Sequence, residues 1–455
     1  MKSLLQKFFE PNRIALIGVT RTPGFGHGIP RFWKRHGWLD KAYLVNPKGG
    51  EIEGKPVLKS ISELPDGIDL AVVVVPAQAV KAAIRELGQK GVKACVIESA
   101  GFAETGAEGC KEQDEIAGLA RQFGMRLIGP NCVGVANTAL KFATTEVMDR
   151  ALEPGPVAII AQSGVFGNIL LDHIPALGLR ISKVATLGNK IDLDESDFLE
   201  YFADDPATRV ILVYEEGIRE GKRLLDALKN ATAKKPVVVL KSGRTPLGQR
   251  ATLSHTGSLS GEDRIYDGAF RQGGAARAAN LDELIALAKT FSSQPRLKGK
   301  KIGVLTTSGS MGAMLSDALF HTGLELAEWS DATSEQIKAM APGWINVKNP
   351  LDVGPSGIFA KALEALFSDP NADGYVLIPV IPYAAIEPWL AVGFKMKDFF
   401  GDIKTLRARA KDKPVISVLL GYEQLEKELE ELCGEGIAVV HSPEMAAMVL
   451  RSLLV

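Results

Sequence analysis

Pro156-Val-Ala-Ile-Ile-Ala-Gln-Ser-Gly-Val-Phe-Gly167 is a short apolar run closed by a Ser-Gly-x-x-Gly turn, and Lys301-Ile-Gly-Val-Leu-Thr-Thr-Ser-Gly-Ser-Met-Gly312 repeats it. The copies stay in register beyond the turn: Ser163 matches Ser308, Gly164 matches Gly309, Gly167 matches Gly312, Asp172 matches Asp317 and Gly178 matches Gly323. Further on, Asn189-Lys-Ile-Asp192 finds its counterpart in Asn349-Pro-Leu-Asp352. A brief continuous apolar run that breaks at a glycine turn and passes into a helical pattern is a buried strand feeding a helix. Two such units in one chain are an internal repeat, two α/β domains of one kind over residues 146–295 and 296–455, joined by the polar linker Ser292 to Lys300. Each strand–helix junction offers free backbone N–H groups and the positive end of a helix dipole, which together favour an anion. Gln162, Ser163, Gly164 and Val165 in one copy, and Ser308, Gly309 and Ser310 in the other, are therefore candidate phosphate-binding residues. Duplication of a mere folding turn would leave the same pattern.

Ahead of the repeat, residues 1–145 alternate short apolar runs with helical patterns. The runs are Arg13 to Val19, Tyr43 to Lys48, Leu70 to Pro76, Ala94 to Glu98 and Arg126 to Asn131; the clearest helical patterns are Gln78 to Lys90 and Ala107 to Phe123. This alternation predicts a parallel, Rossmann-like sheet covered on both faces. Ligands of such sheets bind beyond the carboxyl ends of the strands. Those ends hold Gly18, Val19, Thr20, Arg21 and Pro23; then Lys48; then Val75 and Pro76; then Ser99, Ala100, Gly101 and Phe102; and last Pro130 and Asn131. Arg21 and Lys48 suit the phosphates of a nucleotide-type ligand. The glycines do not follow Gly-x-Gly-x-x-Gly, and Asn46-Pro-Lys48 stands where a ribose-holding acid would end the second strand, so a nicotinamide oxidoreductase lacks its fingerprint.

Between the two copies, Lys241 to Gly261 reads as a loop rich in small and hydroxylated residues, with His255 within it. A neutral imidazole is nucleophilic and can accept a group and hand it on. The strand Val210 to Tyr214 leads into Glu215-Glu-Gly217, where a carboxylate could hold the second nitrogen of a histidine. Alternation turns Glu215 and Glu216 to opposite faces, so only one of them can serve.

The totals bound the function. A chain of 455 residues predicts two to three domains. A net charge of −1 gives no footing for nucleic acid or a membrane surface. Cys95, Cys110, Cys132 and Cys433 are scattered, which fits a reducing compartment and no metal centre in this chain. Met1 to Glu10 is too short and charged for a signal peptide, and no apolar run nears membrane-spanning length, so a cytoplasmic location is expected.

These motifs resemble those of the NDP-forming acyl-CoA synthetases, the superfamily of succinyl-CoA synthetase, and in particular the α subunits of ADP-forming acetate–CoA ligases. The resemblance covers essentially the whole chain. Ser254-His-Thr-Gly-Ser-Leu-Ser-Gly261 is similar to the phosphohistidine motif, Gln162-Ser163-Gly164 to the phosphate turn, Leu187 to Asp192 to the Leu-Gly-Asn-x-x-Asp segment, and Tyr214-Glu-Glu-Gly217 to Tyr-x-Glu-Gly. Val45 to Lys48, Ala100 to Glu104 and Gly129 to Asn131 are similar to the CoA-domain signatures. Two departures stand out: Thr307-Ser-Gly-Ser-Met311 replaces an Asn-Ala-Gly-Gly-Pro turn, and Ala161 replaces a serine.

The resemblance implies a CoA-binding domain followed by two flavodoxin-like, succinyl-CoA-synthetase-like α/β domains. It implies His255 and Glu216 as the catalytic pair, CoA at the N-terminal strand ends, and Asn189 and Asp192 near the acyl thioester. Acyl-CoA, most simply acetyl-CoA, and phosphate would give an acyl phosphate; His255 would take the phosphoryl group and pass it to ADP. The helix N-termini at Gly164 and Gly309, which come from different subunits in succinyl-CoA synthetase, would both be supplied by one chain. No Gly-x-x-x-x-Gly-Lys-Ser/Thr occurs, and nothing resembles an ATP-grasp domain. ADP or ATP and Mg2+ are therefore expected on a separate β subunit, in an α2β2 assembly, and this chain alone is expected to bind CoA without making ATP. The competing reading is a non-catalytic CoA-binding or acyl-sensing module of the same fold.

Overall fold

The computed structural model describes residues 2–24, 26–256, 261–434 and 436–454. The chain divides into two compact units, one ending at Leu284 and the other starting at Ile285. The division falls inside the helix Leu281–Ser293, ahead of the linker expected at Ser292 to Lys300.

The first unit holds two sheets. In the N-terminal sheet the strands Ile14–Ile17, Ala42–Val45, Lys55–Leu58, Leu70–Val73, Ala94–Ile97 and Arg126–Ile128 run parallel, and the short strand Glu51–Ile52 adds antiparallel at the edge. Numbered along the chain, the parallel strands lie in the order 3-2-1-4-5-6. That is the Rossmann order, and its switch point falls between Ile14–Ile17 and Leu70–Val73. The expected helices form as Ala77–Gln89 and Ala107–Gln122. Ala77–Gln89 buries Val80, Ala83, Ile84 and Leu87, a helical stripe facing the sheet.

The second sheet is built on Pro154–Ala161, flanked by Ile181–Thr186 on one side and by Val210–Glu215, Val237–Lys241 and Ala276–Ala278 on the other, all parallel. Val135–Asn137 and Phe142–Ala143 extend it antiparallel. This sheet thus begins before residue 146, where the sequence alone sets the domain boundary. The helix Lys2–Phe9 ties the sheets together: Phe9 stacks on Tyr201 at 5.2 Å between ring centroids, and the Asn137 amide donates to the Phe9 carbonyl (3.2 Å).

The second unit repeats the parallel core of the second sheet. Lys301–Thr306 is flanked by Glu325–Leu326 and by Gly374–Ile378, Val415–Val418 and Ala438–Val440, with Leu351–Asp352 pairing near its carboxyl end. Both repeats therefore share the flavodoxin-like order 2-1-3-4-5, and the sequence repeat is a repeat of topology.

Candidate active site

At the switch point of the N-terminal sheet, Gly18 adopts φ +97°, and a Cβ there would lie 2.9 Å from the Val75 backbone nitrogen. Only glycine lets the two strand ends approach so closely. The Gly18 N–H donates to the Val45 carbonyl (2.9 Å), and the Asn46 amide bonds the Val19 carbonyl (2.7 Å) while its Oδ1 accepts the Lys48 N–H (2.9 Å). Lys48 is exposed, as are Arg21 and Pro23, and the Thr20 hydroxyl accepts the Thr22 N–H at 3.1 Å. The Arg21 guanidinium donates to the Gly49 and Glu51 carbonyls (2.8 and 3.1 Å), bracing the neighbouring loop. Pro76 caps the helix Ala77–Gln89, and the buried Ser99 hydroxyl donates to the Val75 carbonyl (2.5 Å). The Asn131 N–H in turn donates to the Ser99 carbonyl (2.9 Å). Hydrogen bonds thus hold Gly18, Val19 and Lys48 in one part of this strand-end rim, and Val75, Ser99 and Asn131 in another.

That rim meets the carboxyl ends of the second sheet. The Asn189 N–H donates to the Pro130 carbonyl (2.9 Å), and the Gly188 N–H donates to the Gln162 carbonyl (2.9 Å). The Asn189 amide nitrogen reaches Glu104 Oε2 (2.7 Å) and Gln113 Oε1 (3.0 Å), and its oxygen accepts from Asn131 (3.4 Å). Glu104 also accepts the Gly101 N–H at 2.6 Å, on the turn Ala100 to Phe102. Burial works to raise its carboxyl, but the Gly101 and Asn189 donors win and hold it below the ordinary range. Asp192 sits elsewhere: its Oδ2 accepts from Arg126 Nε and from the Leu127 N–H, both at 2.8 Å.

The predicted phosphate turn follows the central strand Pro154–Ala161. The Ser163 hydroxyl accepts the Phe166 N–H (3.3 Å), capping the helix Gly164–Ala176, and a Cβ on Gly164 would meet Val133 Cγ2 at 2.5 Å. Val165, in the first helical turn, is 68% exposed. Gln162 Oε1 accepts the backbone N–H groups of Glu216 and Gly217, each at 2.9 Å. The two glutamates separate as alternation requires. Glu215 turns inward to Lys190 Nζ (2.7 Å), whereas Glu216 Oε1 accepts the Tyr214 hydroxyl (3.3 Å), which also lies 3.1 Å from Ser242 Oγ. Lys190 Nζ reaches Glu195 (3.0 Å), Gln162 (3.2 Å) and the Gly217 carbonyl (2.6 Å) as well. Burial opposes the Lys190 charge, but Glu215 and Glu195 override it and raise its pKa. Burial, reinforced by Glu195, pushes Glu215 up to about 8 against the pull of Lys190.

His255 lies on a helix. Pro246–Thr256 is helical where the sequence reads as a loop, because Thr245 caps it: its Oγ1 accepts the Gly248 N–H (3.1 Å) and Pro246 takes the first position. This helix packs near the turn Ala103–Thr105 beside Glu104. The side chain of His255 and residues 257–260 lie outside the described residues.

Three family models cover the chain: a CoA binding domain over residues 12–138, a succinyl-CoA ligase like flavodoxin domain over 154–291 and a ligase-CoA domain over 302–452. The chain is 36% identical over 456 residues to the α subunit of ADP-forming acetate–CoA ligase II of Pyrococcus furiosus, across 99% of this chain and 97% of that one. The chain belongs to this family of ADP-forming acetate–CoA ligase α subunits. Another relative, the ADP-forming acetate–CoA ligase of Methanocaldococcus jannaschii, is 41% identical over 345 residues, 75% of this chain but only 48% of its own length. Among solved structures, the dinucleotide-forming acetyl-coenzyme A synthetase 1 of Candidatus Korarchaeum cryptofilum, in complex with phosphate and ADP, superposes with a TM-score of 0.88 at 30% identity, covering 100% of this chain and 96% of that one.

In the second unit of this ligase-family chain, the Ser308 N–H donates to Thr306 Oγ1 (2.9 Å), and Ser308 Oγ lies 3.0 Å from Ser310 Oγ. A Cβ on Gly309 would meet Asp352 Oδ2 at 2.8 Å, so a carboxylate lies beside the start of the helix Gly309–Thr322. Its first-copy counterpart, Asp192, is engaged with Arg126 instead. The sequence reading missed Lys190, although the repeat itself marks it: the second copy has Pro350 at that place. Among the described residues, no group of three His, Cys, Asp or Glu could hold a metal ion, and no helix is long and apolar enough to cross a membrane.

Proposed function

We propose that the chain is the α subunit of an NDP-forming acyl-CoA synthetase that reversibly converts acyl-CoA, ADP and phosphate to carboxylate, CoA and ATP. The observation that carries this is the junction at Asn189, whose backbone and amide join the CoA-type rim at Pro130, Asn131 and Glu104 to the loop hydrogen-bonded to Gln162. A thioester carried on the rim would thereby approach phosphate held at the start of the helix Gly164–Ala176. A phosphate oxygen attacks the thioester carbonyl; the C–S bond breaks, CoA leaves as the thiolate and takes a proton, and an acyl phosphate forms. An imidazole nitrogen of His255 then attacks phosphorus, the P–O bond to the acyl group breaks, and the carboxylate leaves. Glu216 orients the imidazole and supports the charge it gains. Gln162, Ser163, Gly164 and Val165 form one phosphate turn; Ser308, Gly309 and Ser310 are proposed as a second. Arg21 and Lys48 serve the CoA phosphates.

The α-subunit names of the Pyrococcus relatives, and the Methanocaldococcus relative that extends to about twice the matched length, support a partner. We assign to it an ATP-grasp domain that binds ADP or ATP with Mg2+, in an α2β2 assembly.

The test is phosphoryl transfer onto this chain from acetyl-CoA or other acyl-CoAs and labelled phosphate, with and without the β subunit. Acid-labile, base-stable label that requires acyl-CoA and is lost in His255→Ala is the expected result. Intact CoA binding with no label under either condition would overturn the ligase reading in favour of a CoA-binding module.

A further inference from the structure

We propose that Lys190, which none of the motifs above assigns a role, is a positioning residue for the phosphoryl-transfer step, fixing the Tyr214–Gly217 turn against the phosphate turn. The inference rests on the ligase reading above. Lys190 is 2% exposed, and four oxygens surround its Nζ: Glu215 Oε1 at 2.7 Å, the Gly217 carbonyl at 2.6 Å, Glu195 Oε2 at 3.0 Å and Gln162 Oε1 at 3.2 Å. An ammonium has three protons, so every one is engaged and none is left for a ligand.

Gln162 and the turn are further joined through the Glu216 and Gly217 N–H groups, both donated to Gln162 Oε1 at 2.9 Å. The Glu216 carbonyl accepts from Lys241 Nζ (2.8 Å), so the backbone of Glu216 is held on both sides. Holding Glu215 inward leaves Glu216 on the opposite face, beside Tyr214 and Ser242, where the chain runs on into the helix that carries His255. Lys190 never touches the reacting atoms in this scheme. It acts by bonding Gln162 Oε1, Glu215 Oε1 and the Gly217 carbonyl at once, so that without it the turn is free to carry Glu216 out of line. An ammonium one residue from Asn189 therefore links the thioester side of the site to the phosphoryl side through rigid bonds.

Lys190→Met alone leaves buried carboxylates unpaired and can fail to fold, so the deciding variant is Lys190→Met/Glu195→Gln/Glu215→Gln, which removes the ammonium and both of its carboxylate partners together. Three quantities are compared with the wild-type full chain, with the β subunit present where labelling requires it: CoA affinity, the rate and acyl-CoA dependence of phosphohistidine formation, and amide exchange in the peptide spanning 213–218. The expected result is unchanged CoA affinity and acyl-CoA KM, a labelling rate at least about tenfold lower, and faster exchange in that peptide. A triple variant that labels at the wild-type rate, or exchanges no faster, overturns the proposal. Failure of the wild-type chain itself to take label would overturn the ligase reading, while the exchange result still decides whether Lys190 pins the turn.

Discussion

Glu215 and Glu216 are identical side chains whose surroundings give them different chemistry. Glu216 accepts the Tyr214 hydroxyl, whereas Glu215 shares one ammonium with Glu195 in a pocket closed to solvent. Burial raises Glu215 from an ordinary 4.5 to about 8, with Glu195 adding to the rise and Lys190 opposing it. Between those values the native chain keeps a proton that the unfolded chain has released. The native state then binds more protons, so this group makes stability fall as pH rises through the window. For one carboxyl the slope is at most about 1.4 kcal/mol per pH unit. Glu215→Gln should flatten the dependence of stability on pH between about 5 and 8, read from urea unfolding at a series of pH values. Parallel wild-type and variant curves would show that Glu215 is already ionised in the native state.

At the scale of elements, the site is made where strands end, and its geometry depends on residues that lack a side chain. Gly18→Ala places a Cβ 2.9 Å from the Val75 nitrogen at a φ of +97°, so the strand end must move or stay strained by about 1–3 kcal/mol. The sheet should persist by circular dichroism while CoA affinity, measured by titration calorimetry, falls about tenfold or more; an unchanged Kd would place the ligand away from the switch point. The strands that shape this site were legible because each is a buried parallel strand, and Ile14–Ile17 or Ala94–Ile97 therefore reads as an unbroken apolar run. Elements without that signature escaped. Pro246–Thr256 exposes Leu247 and buries Thr252, so no apolar stripe betrays the helix, and only Thr245-Pro246 signals its start. Val135–Asn137 and Phe142–Ala143 are too short to show a period, and their pairing with the second sheet is set by tertiary packing. Lys190 carried no signal of its own because its partners lie 28, 5, 25 and 27 residues away along the chain.

At the scale of the whole molecule, the repeated flavodoxin-like topology carries a difference that the sequence repeat conceals. In the second unit Asp352 stays beside the helix start at Gly309, but in the first unit its counterpart, Asp192, serves the neighbouring Rossmann sheet. There it receives Arg126 Nε and the N–H of the buried Leu127, fastening the last strand of the N-terminal sheet to a loop of the second. Asn189, three residues earlier, makes the corresponding tie at the candidate site, so one short loop both joins the sheets and lines the junction. These two jobs can be separated. Asp192→Ala removes a charge-assisted acceptor and strands a buried donor, a loss of about 1.5–3 kcal/mol that should lower the melting temperature by several degrees. Asn189 keeps its bonds to Pro130, Glu104 and Gln113 in that variant, so the maximal rate of phosphohistidine formation at saturating acyl-CoA should remain near that of the wild type. Thermal unfolding and labelling on one preparation measure both effects. A variant that melts like the wild type yet takes no label would return the Asp192 carboxylate to the thioester and make the tie to Arg126 incidental.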